Sequence, residues 1–321
     1  MTLAALELLD DGALWSALGA GAATSAVVAL VERRPRRRPS SPVPLAGVAF
    51  VVSAVLVIAI RLDMPDGVLL GLLILGSAGL LVDLDGVPLP VAMAVAAPGA
   101  WLLGWHGEVV PVTWIRSTVV GVTLLGGAAF ASFDRRFARR GYAPAFFALS
   151  TAGVYYTVPD PYEALILLGC AAPLVLLGWP RAVARFGASG ALAAVGLLAW
   201  VVARDGFGRQ SSIVGGMACL GLLAIEPCWR AFRLRAWSPL DVLPRGSWRW
   251  PVALTAQLAL VYGASRIAGL RDVTEYDASG PLWRGRVAGA LTIVLVGVVL
   301  ASILVALLRG AERHRPSRSP R

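Results

Sequence analysis

GVLLGLLILGSAGLLVDLDG, residues 67–86, decides the fold. From Gly67 to Val82 the run carries no charge, and it then ends abruptly on Asp83-Leu84-Asp85-Gly86 with no arginine nearby. A helix needs roughly 20 apolar residues to cross a bilayer, with a range of about 17–25. Apolar runs of similar length recur on both sides of it. The spacing predicts spans at 13–31, 44–60, 67–82, 87–105, 117–133, 142–158, 161–179, 188–203, 211–228, 250–268 and 287–308. The predicted fold class is therefore all-α, a polytopic integral membrane protein of about eleven transmembrane helices. It is expected to form a single helical domain over 1–308 and a basic cytoplasmic tail over 309–321.

Composition agrees. Of the 321 residues 57% are hydrophobic and 15% charged, with a mean hydropathy of +0.72. Soluble domains are about 45–50% apolar and about 25% charged, so a water-soluble enzyme is excluded, and so is a disordered chain. Cys170, Cys219 and Cys228 are scattered and form neither a disulfide framework nor a zinc motif. His106 and His314 are too far apart to suggest a local metal motif. Ahead of the first apolar run there is no basic segment, so a signal peptide is not expected.

The net charge of +10 is carried without lysine: all 29 cations are arginine, and asparagine is missing too. A GC-rich genome accounts for both absences. Nucleic-acid binding would be the other reading of so basic a chain, and the placement of the arginines decides against it. With the N-terminus outside, the inner loops are 32–43, 83–86, 134–141, 180–187, 229–249 and the tail from Arg309. These hold 21 arginines against 8 on the other side. Positive charge marks the cytoplasmic side of membrane proteins, so the N-terminus is expected outside, the C-terminus inside, and anionic lipid is the natural partner.

Acids at a membrane edge are costly and point to function. Asp83 and Asp85 repel each other unless a proton or cation intervenes, and magnesium is held by one or two carboxylates with substrate phosphates. A helix end with a polar turn before Pro88 is the plainer alternative. Asp134 opens a loop with Arg135, Arg136, Arg139 and Arg140. It can be a metal ligand or the charge partner of those arginines, which could themselves hold phosphate. At 187–190 the residues Gly187, Ala188, Ser189 and Gly190 open a helix whose free N–H groups could receive a phosphate. Small residues are equally routine where membrane helices pack.

In order along the chain, these segments resemble the bacterial polyprenyl-phosphate N-acetylhexosamine-1-phosphate transferases. PVPLAGVAFVV (Pro42–Val52) is similar to that family's entry to its second helix, and GLLVDLDGVPLP (Gly79–Pro90) to its paired-aspartate stretch, with Asp83 at the second aspartate. TLLGGAAFASFDRRF (Thr123–Phe137) matches the Asn-rich segment, with Asp134 at its first aspartate. WPRAVARFGASGAL (Trp179–Leu192) resembles the Gly-Asp-Ser-Gly segment, and EPCWRAFRLRAWSPLD (Glu226–Asp241) the loop leading to the family's histidines. The resemblance implies ten or eleven spans and a cytoplasmic active site in the bacterial inner membrane. It also implies Mg2+ on Asp83 and Asp134, with Asp85 beside them as a third catalytic acid. Phosphate contacts would come from Arg135, Arg136, Arg185, Phe186, Gly187, Ser189, Gly190, Arg233 and Asp241. The partners expected are polyprenyl phosphate, a nucleotide sugar, anionic lipids and a second copy in a homodimer, with no nucleic acid.

Several polar positions of that pattern are replaced. Val82 stands at the first of the paired aspartates, Ala188 at the Gly-Asp-Ser-Gly aspartate, and 229–249 has no histidine. Phosphoryl transfer relies on charge neutralisation by metal and cations. Three readings follow: a divergent transferase, a catalytically silent relative that binds lipid phosphate or an envelope-synthesis partner, and an unrelated transporter.

Overall fold

The structure is a computed structural model, and it describes residues 12–32, 44–61, 64–84, 86–107, 113–137, 142–158, 162–178, 184–205, 210–219 and 257–264. They are helical, with no strand among the described residues. In chain order they form α1 (Gly12–Glu32), α2 (Ala46–Arg61), α3 (Asp66–Leu84), α4 (Leu89–His106) and α5 (Thr113–Gly121). A π-helical turn (Val122–Gly126) joins α5 to α6 (Gly127–Phe137). Then come α7 (Tyr142–Thr157), α8 (Tyr162–Ala171), a 3-10 turn (Ala172–Leu174), α9 (Val175–Gly178), α10 (Gly187–Asp205) and α11 (Gln210–Ala218).

Five helices are long and apolar enough to cross a membrane: Gly12–Val31, Asp66–Leu84, Leu89–His106, Ile115–Arg135 and Gly187–Arg204. Ala46–Arg61 and Tyr162–Leu177 are apolar but shorter. The protein is thus a multi-pass, membrane-embedded helical bundle. The division expected after 82 falls where α3 ends at Leu84, and that after 158 where α7 ends at Thr157. Of the spans expected at 211–228 and 250–268 only parts are described, and 287–308 and the 309–321 tail lie outside the described residues.

The side chains of α3 show why the helices sit as they do. Val68, Gly71, Leu72, Leu75, Ala78, Gly79 and Val82 are buried and recur every three or four residues. Leu70, Leu73 and Leu84 lie on the other face and are exposed. Large apolar groups outside, and glycine and alanine interspersed among the inward side chains, suit a bilayer, where association rests on close packing. A helix apolar on every side belongs at the centre of such a bundle. That helix is α10: every residue from 186 to 203 is buried. It packs on α3, α6 and α2, while α1 covers α2 and α8.

Glycine sets the closest contacts. A Cβ on Gly47 of α2 would lie 2.6 Å from Gly190 Cα of α10, and one on Gly79 of α3 would collide with the Ser189 backbone. The ends of α3 and α6 and the starts of α2, α7 and α10 therefore meet at one end of the bundle. His106, Arg61 and Arg204 lie at the opposite end, on the far termini of α4, α2 and α10.

Candidate functional site

Two acids meet the start of α10. At its first turn the backbone turns sharply, with Gly187 at φ +83°, a conformation that favours glycine. Four consecutive amides there, from Phe186 to Ser189, point towards the ends of α6 and α3. Asp134, from α6, takes the first two: Phe186 N–H donates to its Oδ1 (3.0 Å) and Gly187 N–H to its Oδ2 (2.9 Å). Asp83, from α3, takes the next two, Ala188 N–H on Oδ1 (3.1 Å) and Ser189 N–H on Oδ2 (3.0 Å). Ser189 Oγ–H also donates to Asp83 Oδ2 at 3.1 Å. Arg185 approaches from the side, its Nη2 3.7 Å from Asp83 Oδ1.

The carbonyls of the same strap are used as well. Arg185 C=O accepts from Ala46 N–H (3.1 Å), and Phe186 C=O from Gly47 N–H (3.0 Å), at the start of α2. Two helix N-termini therefore converge on this point. Each carries roughly half a positive charge, and with Arg185 they about balance the two carboxylates. The cluster is also closed to water: Asp134 is 3% exposed, and the Asp83 side chain 2%. Below it the Phe186 ring packs on Phe130 (4.7 Å between centroids) and Phe147 (5.0 Å), with Phe50 alongside.

No known protein family matches the sequence, and no curated protein matches it.

The structure brings Asp83, Asp134, Arg185, Phe186, Gly187 and Ser189 together as one cluster. Gly190 lies on the same turn but faces Gly47 as a packing contact. One local expectation changes. The amides of 187–190 were expected free for a phosphate, yet Gly187, Ala188 and Ser189 already bond to carboxylates. Asp134 bonds to two backbone amides; of the arginines that follow it, Arg135 is exposed, and the Arg136 side chain, Arg139 and Arg140 lie outside the described residues. Asp85, Arg233 and Asp241 lie outside them as well.

Magnesium on Asp83 and Asp134 would have to share oxygens that are already hydrogen-bonded. It keeps near-octahedral oxygen coordination and dehydrates reluctantly, whereas each carboxylate oxygen here already accepts an amide hydrogen. Among the described residues no group of three or more His, Cys, Asp or Glu is close enough to share one.

Sequence reasoning did not single out the polar contacts of the opposite end. Glu163 of α8 pairs with Arg204 of α10 at 3.7 Å, and Arg204 lies 5.2 Å above the Trp200 ring. Trp200 Nε1–H donates to Gly107 C=O at 2.6 Å. Their signal in the sequence was the placement of Trp200 and Arg204 one turn apart at the end of an otherwise apolar run.

Proposed function

We propose that this protein is a membrane-embedded helical bundle that binds polyprenyl phosphate at its cytoplasmic face without metal-dependent phosphoryl transfer. It would be a catalytically silent counterpart, in plan, of the sugar-1-phosphate transferases it resembles. One observation carries this reading: Asp83 and Asp134 are both spent on the start of α10. An acid that holds a helix N-terminus through two charge-assisted bonds contributes about 1.5–3 kcal/mol per bond. Recruiting it to a metal would forfeit that and uncap the central helix. An incoming phosphate would meet the same obstacle, since the amides are taken and two negative charges stand beside them. The group left to meet a lipid phosphate at this end is arginine. Arg135 is exposed, and the Arg185 guanidinium is partly exposed, with its Nη2 towards Asp83 and its Nε buried.

The test uses purified full-length protein in detergent with polyprenyl phosphate, magnesium and a panel of nucleotide sugars. Nucleoside monophosphate should not be released above the protein-free blank. Polyprenyl phosphate should be retained, about tenfold more weakly in Arg135→Gln/Arg185→Gln, as expected when charge-assisted bonds are lost. Magnesium-dependent release that disappears in Asp83→Asn would overturn the proposal.

That outcome would favour the second reading, a divergent transferase moving a sugar-1-phosphate from a nucleotide sugar to polyprenyl phosphate. Its support is the convergence of Asp83, Asp134 and the Gly187 turn at one end of the bundle. It requires the caps on α10 to open during turnover.

A further inference from the structure

At the end of α2 opposite the carboxylate cluster, among the described residues, an arginine meets only neutral groups. Arg61 ends that helix, and its Nη2–H donates to Ser16 Oγ (2.9 Å) and lies 3.3 Å from Gly12 C=O, both on α1. Both contacts are to neutral groups, and Arg61 has no carboxylate partner among the described residues. It stands at the head of a groove of about 440 Å³ between α1 and α2, lined by Ser16, Ala20, Leu56, Val57, Ile60 and Arg61. Sites that take small ligands are commonly about 300–1,000 Å³. The walls are apolar along the helices, and Ile60 and Leu56 are 71% and 54% exposed. The polar atoms gather only at the helix end.

We propose that this groove binds one anionic phospholipid, its phosphate on Arg61 and Ser16 and an acyl chain along Ala20, Leu56 and Ile60. The division of the lining into a cationic head and an apolar stem matches a lipid and no water-soluble anion. A guanidinium at a helix end near the membrane surface pairs with phosphate through charge-assisted hydrogen bonds. A comparable hollow at the same end, lined by Asp66 and His106 among apolar residues, carries a carboxylate instead and would repel the same headgroup. The inference is independent of the activity at the carboxylate cluster.

Native mass spectrometry of the full-length protein in detergent tests it, with phosphatidylglycerol and chain-matched diacylglycerol as probes. One phosphatidylglycerol should be retained and diacylglycerol lost. Arg61→Gln should weaken retention about tenfold, as for a lost charged hydrogen bond, and Arg61→Lys should preserve most of it. Leu56→Trp, which narrows the groove from its exposed wall and leaves Arg61 in place, should weaken it as well. Equal retention of both lipids would mean that the groove reads tails alone and would overturn the proposal. So would retention unchanged by Arg61→Gln and Leu56→Trp together. Displacement of the lipid by equimolar glycerol phosphate would assign the site to a soluble phosphate instead.

Discussion

Gly187 concentrates the geometry of the site in one residue. Its φ of +83° places it where an L side chain costs about 1–2 kcal/mol in backbone strain alone. A Cβ there would also sit 2.7 Å from Pro44 C=O and 2.9 Å from Asp83 Oδ2. Gly187→Ala should therefore destabilise the protein by about 2 kcal/mol or more, since it combines strain with loss of a cap. Thermal unfolding in detergent would read this, and a midpoint equal to wild type would show that the turn is not tightly held. The acids were legible in the sequence as residues of interest, because charge at a membrane edge is rare. Their partners were not. Nothing in Asp83-Leu84-Asp85 or Asp134-Arg135-Arg136 says that the groups they meet are backbone amides 52 to 106 positions further along the chain.

At the scale of the element, α10 is the part on which the others depend. Its approach to α2 is set by Gly47 against Gly190, and to α3 by Gly79 against Ser189. Gly190→Val should push α2 and α10 apart, since overpacking a tight contact costs about 1–3 kcal/mol, and the amides of Ala46 and Gly47 would lose their carbonyls. Gly76→Val on α3 is the control, because a Cβ at Gly76 meets nothing within 4 Å. Size-exclusion profiles and unfolding midpoints of the two variants should diverge, with only Gly190→Val impaired. Hydropathy located α10 well, at 188–203 against Gly187–Asp205, because a wholly buried helix is apolar on every face. It could not show the π-helical turn before Gly127, or the 3-10 turn at Ala172–Leu174. Both are local changes of winding that leave the apolar run unbroken. The glycine contacts were legible only as a composition, since a small residue does not announce which helix it will meet.

For the molecule as a whole, the helices run so that Gly86 and Arg135 lie at one end and Arg61 and His106 at the other. In a background without Cys170, Cys219 and Cys228, Gly86→Cys and Arg135→Cys should react with a membrane-impermeant maleimide from one side only. Arg61→Cys and His106→Cys should react from the opposite side. Labelling of Arg135→Cys in inverted vesicles and of His106→Cys in intact cells would also fix the orientation that the arginine distribution predicts. Labelling of all four from one side would overturn the helix directions. Arginine counting captures orientation because it depends on loop composition alone. The pairing at the start of α10 escapes it, because counting charges by loop does not show which acids meet which backbone amides.

The capping of α10 also has a consequence for biogenesis. Asp83 and Asp134 leave the ribosome well before the amides of residues 186–189, so neither acid can reach its partners in the finished fold until those residues have been made. Docking of the start of α10 and capping by the two acids are then a single event. A chain halted short of that point would leave both acids without the amides that hold them in the fold.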